Sequence, residues 1–330
     1  MQERVRTWQS NHAVQAAAPR SARRFIARAV GLCGMRSKVD AAAHKIDRID
    51  STLAGLKNDL ERRLMRLEER IAKGWQTSEI SSLRILTGPA LTNRIIEIGR
   101  MLRPMSVVGI EKVRWGCQHD GGYVMLNDLK SAEAVVSLGI GGNATWDADA
   151  AQHGLHVYQF DHTIAPPPQH PKFTFYQRQI VPDGVSGGAT LSSIVNQIGA
   201  NKPGSLILKI DIEDDEWPVF DAASIDTLRL FSQIVCEFHW LNRIVDVDRY
   251  LLVHRVLEKL NRWFAPVHVH ANNFAELVAL GGVPFPSVLE VTYANRDLFD
   301  LRLSEEIFPT PLDTPNDPMT PDYYLGRFQF

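Results

Sequence analysis

The run Ser205-Leu-Ile-Leu-Lys-Ile-Asp-Ile-Glu-Asp-Asp-Glu-Trp217 constrains this chain more than any other stretch, because an apolar strand runs straight into a dense group of carboxylates. The later run Phe231-Ser-Gln-Ile-Val-Cys-Glu-Phe-His239 ends the same way, apolar first and polar at its carboxyl end. In a parallel α/β sheet the carboxyl ends of the strands form the crevice where ligands bind. Two such strands side by side would bring Asp211, Glu213, Glu237 and His239 together there.

The surrounding pattern supports that sheet. Ala134–Leu138, His156–Phe160, Phe173–Tyr176, Leu206–Ile210, Ile234–Phe238, Val267–His270 and Val288–Tyr293 read as strands, and 145–153, 191–198 and 248–264 read as helices between them. This alternation predicts an open, mostly parallel sheet with helices on both faces. The last link carries only Phe274–Leu280, read as weakly helical, before Gly281-Gly282. Such a short connection suits a final antiparallel strand better than another full crossover.

The region before the sheet has another character. Val39, Ile46, Ile49, Leu53, Leu56, Leu60, Leu64, Leu67 and Ile71 recur mostly at three-and-four spacing among charged residues, with no proline between. This predicts a heptad-like helix of roughly 50 Å that cannot bury its stripe alone, hence a homo-oligomer through residues 39–71. A second helical stretch is expected over 78–103. The basic segment around Arg20, Arg23 and Arg24 is read as poorly ordered and as the one place for membrane contact. No run reaches the ~20 apolar residues of a membrane span. A formal net charge of -2 gives no global drive toward nucleic acid. Cys33, Cys117 and Cys236 show neither zinc spacing nor a disulfide framework, which favours a reducing, cytoplasmic location.

The first strand opens into Ser137-Leu-Gly-Ile-Gly-Gly-Asn143, where Gly139, Gly141 and Gly142 allow a tight turn and close approach to a ligand. The next strand ends at Asp161, the place from which an acid can accept hydrogen bonds from ribose hydroxyls. An adenosine-containing cofactor follows. A pyrophosphate would want a cation near this loop, whereas Asp147 and Asp149 stand there; their charge tolerates a sulfonium and favours S-adenosylmethionine over NAD.

Arg114-Trp-Gly, Asp120-Gly-Gly-Tyr-Val-Met125, the glycine loop, Tyr158-Gln-Phe-Asp-His162, Leu208-Lys-Ile-Asp-Ile-Glu213, Cys236-Glu-Phe-His239 and His268-Val-His-Ala-Asn-Asn273 occur in that order. This set resembles the FkbM-type S-adenosylmethionine-dependent methyltransferases, from about Val113 to Arg296. The resemblance implies a Rossmann-like class I fold, a seven-stranded mostly parallel sheet with its last strand antiparallel, and an O-methyltransferase of small molecules or glycans. It also implies that Asp120 and Tyr123 join the glycines and Asp161 around the cofactor, and that His270, Asn272 and Asn273 line the acceptor pocket; His162, next to Asp161, is read as a further cofactor contact or as packing. Where the family pattern has glycine after Glu213, this chain has Asp214.

The expected division is a basic N-terminus (1–38), a coiled-coil helix (39–75), a helical linker (76–112), a methyltransferase domain (113–307) and a proline-rich tail (308–330) that straps back onto the domain. Three readings of the strand-end cluster stand open. Asp211, Glu237 and His239 bind Mn²⁺ or Mg²⁺, which acts as a Lewis acid on a sugar hydroxyl; or His239, helped by Asp211 and Glu213, is a metal-free general base; or the groups are structural. Competing functions are an NAD-dependent sugar-modifying oxidoreductase and a non-catalytic scaffold assembled through the coiled coil.

Overall fold

The computed structural model describes residues 84–88 and 90–330. The expected coiled coil and basic segment lie outside them. In chain order the elements are β1 (Arg84–Leu86), α1 (Leu91–Met101), β2 (Met105–Val107), β3 (Lys112–Trp115), β4 (Tyr123–Leu126), β5 (Ala134–Leu138), α2 (Thr145–Gln152), β6 (His156–Phe160), β7 (Phe173–Tyr176), α3 (Leu191–Ile198) and β8 (Leu206–Ile210). There follow α4 (Glu216–Ala222), α5 (Ile225–Leu228), β9 (Phe231–Phe238), α6 (Val247–Trp263), β10 (Phe264–Ala271), β11 (Leu277–Leu280), β12 (Val283–Pro286), β13 (Leu289–Asn295) and β14 (Leu301–Leu303).

Seven strands form the main sheet in the order β10-β13-β9-β8-β5-β6-β7. The pairs from β9 through to β7 are parallel, and β13 runs antiparallel to both neighbours. Strands β5, β8 and β9 are buried at every position, as a sheet covered on both faces requires, which explains their unbroken apolar runs. From β5 the chain moves outward to β6 and β7, then crosses back to β8. The loops after β5 and β8 therefore part at the reversal of strand order, the point where open α/β sheets bind ligands.

Two expected helices take other forms. The stretch 78–103 contains β1 and then α1, whose Leu91, Ile95 and Ile98 enter the main core. The link between β10 and β13 is the hairpin β11–β12, with β1 added parallel to β11. Its turn is Gly281-Gly282 at φ 59° and 90°, backbone that glycine adopts without a steric cost. The antiparallel last strand agrees with the short connection.

On one face α6 buries Val253, Val256, Leu257 and Leu260, a three-and-four stripe, and Asp246 caps its start by accepting from the Arg249 N–H at 3.0 Å. Trp217 at the start of α4 is fully buried and stacks on Phe238 at 4.3 Å. That packing anchors the turn between β8 and α4 to the end of β9. No helix among the described residues is long and apolar enough to cross a membrane.

Candidate active site

The turn after β8 is built under strain. Glu213 and Asp214 have φ 58° and 95°, conformations that cost a side chain energy and suit glycine. Glu213 still reaches the nitrogen that Asp211 faces, His239 Nε2, at 3.7 Å. The turn is held by Glu216, completely buried, which accepts from the backbone N–H of Ile212 at 2.7 Å and of Asp214 at 3.0 Å. Asp214, standing where glycine is expected, is gripped by Arg243 at 2.8 Å and by Arg249. Arg249 also donates to the His239 carbonyl at 3.0 Å, and the Trp217 indole donates to that carbonyl at 2.9 Å. One set of contacts thus fixes both strand ends.

Between those ends lies the constellation. The Tyr123 hydroxyl, reaching over from β4, is 3.0 Å from Asp211 Oδ2 and 3.1 Å from Glu237 Oε2. A phenol has one proton to donate, so two ionised carboxylates there are one donor short. Asn272 donates to Glu237 Oε1 at 2.7 Å. His239 Nδ1 is 3.1 Å from Glu216 Oε1. The other ring nitrogen, Nε2, faces Glu213 Oε2 at 3.7 Å, Glu237 Oε1 at 3.8 Å and Asp211 Oδ1 at 4.0 Å. Lys209 stands on the far side, 3.8 Å from Asp211 Oδ2, and donates to the Gly139 carbonyl at 2.5 Å.

The crowding of acids shifts their protonation. Burial first, then repulsion from Asp211, pushes the Glu237 carboxyl well above its ordinary range. Burial, Asp211 and Glu290 raise Asp120. Burial raises Glu216 against the opposing pull of His239. For His239 burial works downward, but Glu216, Glu237 and Asp211 outweigh it and hold the imidazole well above 6.5.

The cofactor-side residues divide. Gly139, at φ 73°, cannot carry a side chain: a Cβ would lie 1.7 Å from the Asp211 carbonyl oxygen. It locks the loops after β5 and β8 together. Beside Gly141 and Gly142 the space is open. Asp120 and its Gly121 turn border this loop, where the Asn143 amide donates to the Asp120 carbonyl at 3.0 Å. Asp161 departs from the expected free ribose acceptor. Its Oδ2 accepts from the N–H of Ile140 and Gly141, both at 2.9 Å, and its Oδ1 from the N–H and hydroxyl of Thr163 at 2.7 and 2.6 Å. It organises the loop. Burial would raise its pKa, yet these donors bring it below the ordinary value. His162 is exposed beside it. Asp147 and Asp149 do not face the crevice as expected: Asp147 is buried and bonded to Gln159 at 2.6 Å, and Asp149 accepts from the Gly116 N–H at 2.8 Å. Tyr123 moves the other way, from the cofactor side to the centre of the carboxylates.

The residues expected to line an acceptor pocket are engaged by the protein itself. Glu290 pairs in register with Glu237 on one side and His270 on the other, so β9, β13 and β10 carry one continuous polar row. His270 contacts Glu290 at 3.0 Å and Asp322 at 3.0 Å, His268 contacts Asp313 at 2.8 Å, and the Asn273 amide donates to the carbonyls of Asp317 and Thr320 at 3.0 and 3.1 Å. Asn316 donates to Glu290 at 2.6 Å. The tail from Phe308 therefore straps over the ends of β10 and β13. His270 and Asn273 hold the strap, and Asn272 serves Glu237.

Sequence reasoning assigned no role to Glu216 or to the strap's Asp313, Asn316 and Asp322. Glu216 had a signal, since an acid in the first turn of a helix often caps the turn before it. The strap acids had none.

No family model matches the chain, and no curated protein matches it. Among solved structures, the methyltransferase CalO6 is similar over 51% of this chain and 58% of its own, with 18% identity and a TM-score of 0.21. The match covers less than two thirds of that structure.

Proposed function

We propose that the chain is an S-adenosylmethionine-dependent O-methyltransferase acting on a hydroxyl of a sugar or polysaccharide, of the FkbM type its motifs resemble. One observation carries this reading: the reversal of strand order sets the glycine loop directly against Asp211, Gly139 touching its carbonyl, with Tyr123, Glu237 and His239 beside it.

The loop fits the cofactor in part. Open space beside Gly141 and Gly142 leaves backbone accessible to an adenosine group, and Asp161 holds that loop in shape while Asp120 borders it. The bound cofactor would supply an electrophilic methyl group on a sulfonium. The chain's own residues must then orient an acceptor oxygen and receive its proton as the carbon–oxygen bond forms. Without a cation, Asp211 suits that task, because it is 27% exposed and its Oδ1 has no hydrogen-bond partner among the described residues. Tyr123 holds its other oxygen.

The test uses the full chain. Calorimetry with S-adenosylhomocysteine should show one site per chain, and transfer of labelled methyl from S-adenosylmethionine to diol-bearing glycans should fall ~10²–10⁴-fold in Asp211→Asn. No heat with either sulfur compound, together with a shift of nicotinamide fluorescence on titration, would replace this reading with an oxidoreductase. We also propose self-association through residues 39–71; sedimentation of the full chain as a monomer would remove it.

A further inference from the structure

At the ends of β8 and β9 one nitrogen of a buried histidine faces three carboxylates without a hydrogen bond to any of them. His239 is 7% exposed, Nδ1 is held by Glu216, and Nε2 makes no hydrogen bond among the described residues. Its distances of 3.7–4.0 Å to three carboxylate oxygens are too long for hydrogen bonds. They approach those of atoms that share an ion. Two ligands ~2.1 Å from one cation stand ~3.0 Å apart at a right angle and ~3.4 Å at the tetrahedral angle, so these contacts would close by ~0.3–1 Å.

The neighbours of these groups complete the pattern. A metal-bound histidine normally gives its other ring N–H to a carboxylate, and ligating carboxylates are themselves hydrogen-bonded. Here Glu216 takes the N–H of His239, Tyr123 holds Asp211 Oδ2 and Glu237 Oε2, and Asn272 holds Glu237 Oε1. Each is a fixed support at an atom that leaves Nε2, Asp211 Oδ1 and a lone pair of Glu237 Oε1 directed inward. Lys209 does not fill the place, being nearest the other oxygen of Asp211 and bonded to Gly139.

We propose that Asp211, Glu237 and His239 form a divalent-cation site, with the Glu213 carboxylate as an outer fourth group, and that the cation takes a vicinal diol. Glu237 and His239 form a floor at 5% and 7% exposure, while Asp211 and Glu213 rise to 27% and 50%. The protein donors therefore occupy one side, and the solvent side is left for two oxygens of a diol. One nitrogen among oxygens favours Mn²⁺ over Mg²⁺. The diol's role rests on the methyl-transfer reading; the cation site does not.

The experiment titrates Mn²⁺ alone into chelator-treated full-length protein and follows the free-ion electron paramagnetic resonance signal. One Mn²⁺ per chain should bind, with ¹⁴N coupling from an imidazole in the pulsed spectrum of the wild type. Asp211→Asn and His239→Gln should weaken binding at least tenfold, and the His239→Gln spectrum should lose the nitrogen coupling. Glu216→Gln should weaken binding ~10-fold or more while retaining that coupling, a result a bystander would not give. Asp322→Asn, on the strap, should bind as wild type. Absence of saturable binding, or a wild-type ion with no nitrogen coupling, would overturn the site, and neither outcome depends on variants folding. Intact Mn²⁺ binding without any S-adenosylhomocysteine binding would instead overturn the methyl-transfer reading alone.

Discussion

Two clusters of histidine and carboxylate lie along the same edge of the sheet, and they are built to opposite ends. At β10 and β13, His268 and His270 meet their acids at 2.8–3.0 Å. At β8 and β9, His239 Nε2 stands 3.7–4.0 Å from three acids, and one phenol lies between two more oxygens. Identical residue types thus meet at hydrogen-bond distance at the strap, whereas His239 does so only through Nδ1 and Glu216. Buried polar groups are ordinarily matched, but His268 Nδ1 and Asn316 Oδ1 at the strap also lack a hydrogen-bond partner among the described residues, so the contrast lies in the distances between histidine and acid.

The sharpest way to break that contrast is to remove one acid from each cluster. Asp211→Asn relieves repulsion, so it should leave folding stability unchanged or raised while turnover falls ~10²–10⁴-fold. Denaturant unfolding beside a methyl-transfer assay reads both. A loss of stability with activity retained would reverse the roles assigned to the two ends. Asp322→Asn should do the opposite, costing ~1–3 kcal/mol of stability through the buried imidazole it abandons and altering turnover little.

The pH dependence of the strap gives a finer comparison. Burial lowers His270, but Glu290 and Asp322 outweigh it and lift the ring to about 10. A raised folded pKa contributes stability that is complete below the unfolded value near 6.5 and disappears as pH rises through about 10. Asp313 is held down to about 2, chiefly by His268 working against burial, so its contribution is complete above 3.8 and is lost as pH falls toward 2. The melting midpoint of the wild type should therefore decline between pH 7 and 10 more steeply than that of His270→Gln. Parallel curves would remove the charged pair from the strap. The smallest expected effect is at position 214, where glycine accepts φ 95° freely but loses two arginine contacts. Asp214→Gly should lie within ~1 kcal/mol of wild type, and Asp214→Ala should be less stable by ~1–3 kcal/mol, because alanine keeps the strain and loses the contacts.

What could be read from the chain follows from the range of each interaction. Strand runs such as Leu206–Ile210 are local patterns, and so the sheet, its antiparallel last strand and the meeting of Asp211, Glu237 and His239 were legible. Gly281-Gly282 also carried a hairpin signal, which a short apolar run on either side obscured. Tyr123 was not legible as a member of the cluster. It arrives because β4 crosses β9 and β13, its backbone bonded to Gln233 and Thr292 far along the chain. The strap lies beyond pattern altogether, since five prolines between Phe308 and Pro321 leave no period for Asp313, Asn316 or Asp322 to occupy. Asp161 was placed correctly, yet its acceptors had claimants in Thr163 and the adjoining N–H groups that spacing does not reveal.

Asp214 bears on how such a sequence can change. Placing an acid in a left-handed turn is tolerable only when Arg243 and Arg249 already stand ready to receive it, and those arginines gain their use from the acid. The three positions should therefore be epistatic: a double-mutant cycle across Asp214 and Arg249 should show a coupling of ~0.5–3 kcal/mol. Because Arg249 also grips the His239 carbonyl, substitutions at this outlying turn are routes by which the placement of His239 could drift without any change in His239 itself.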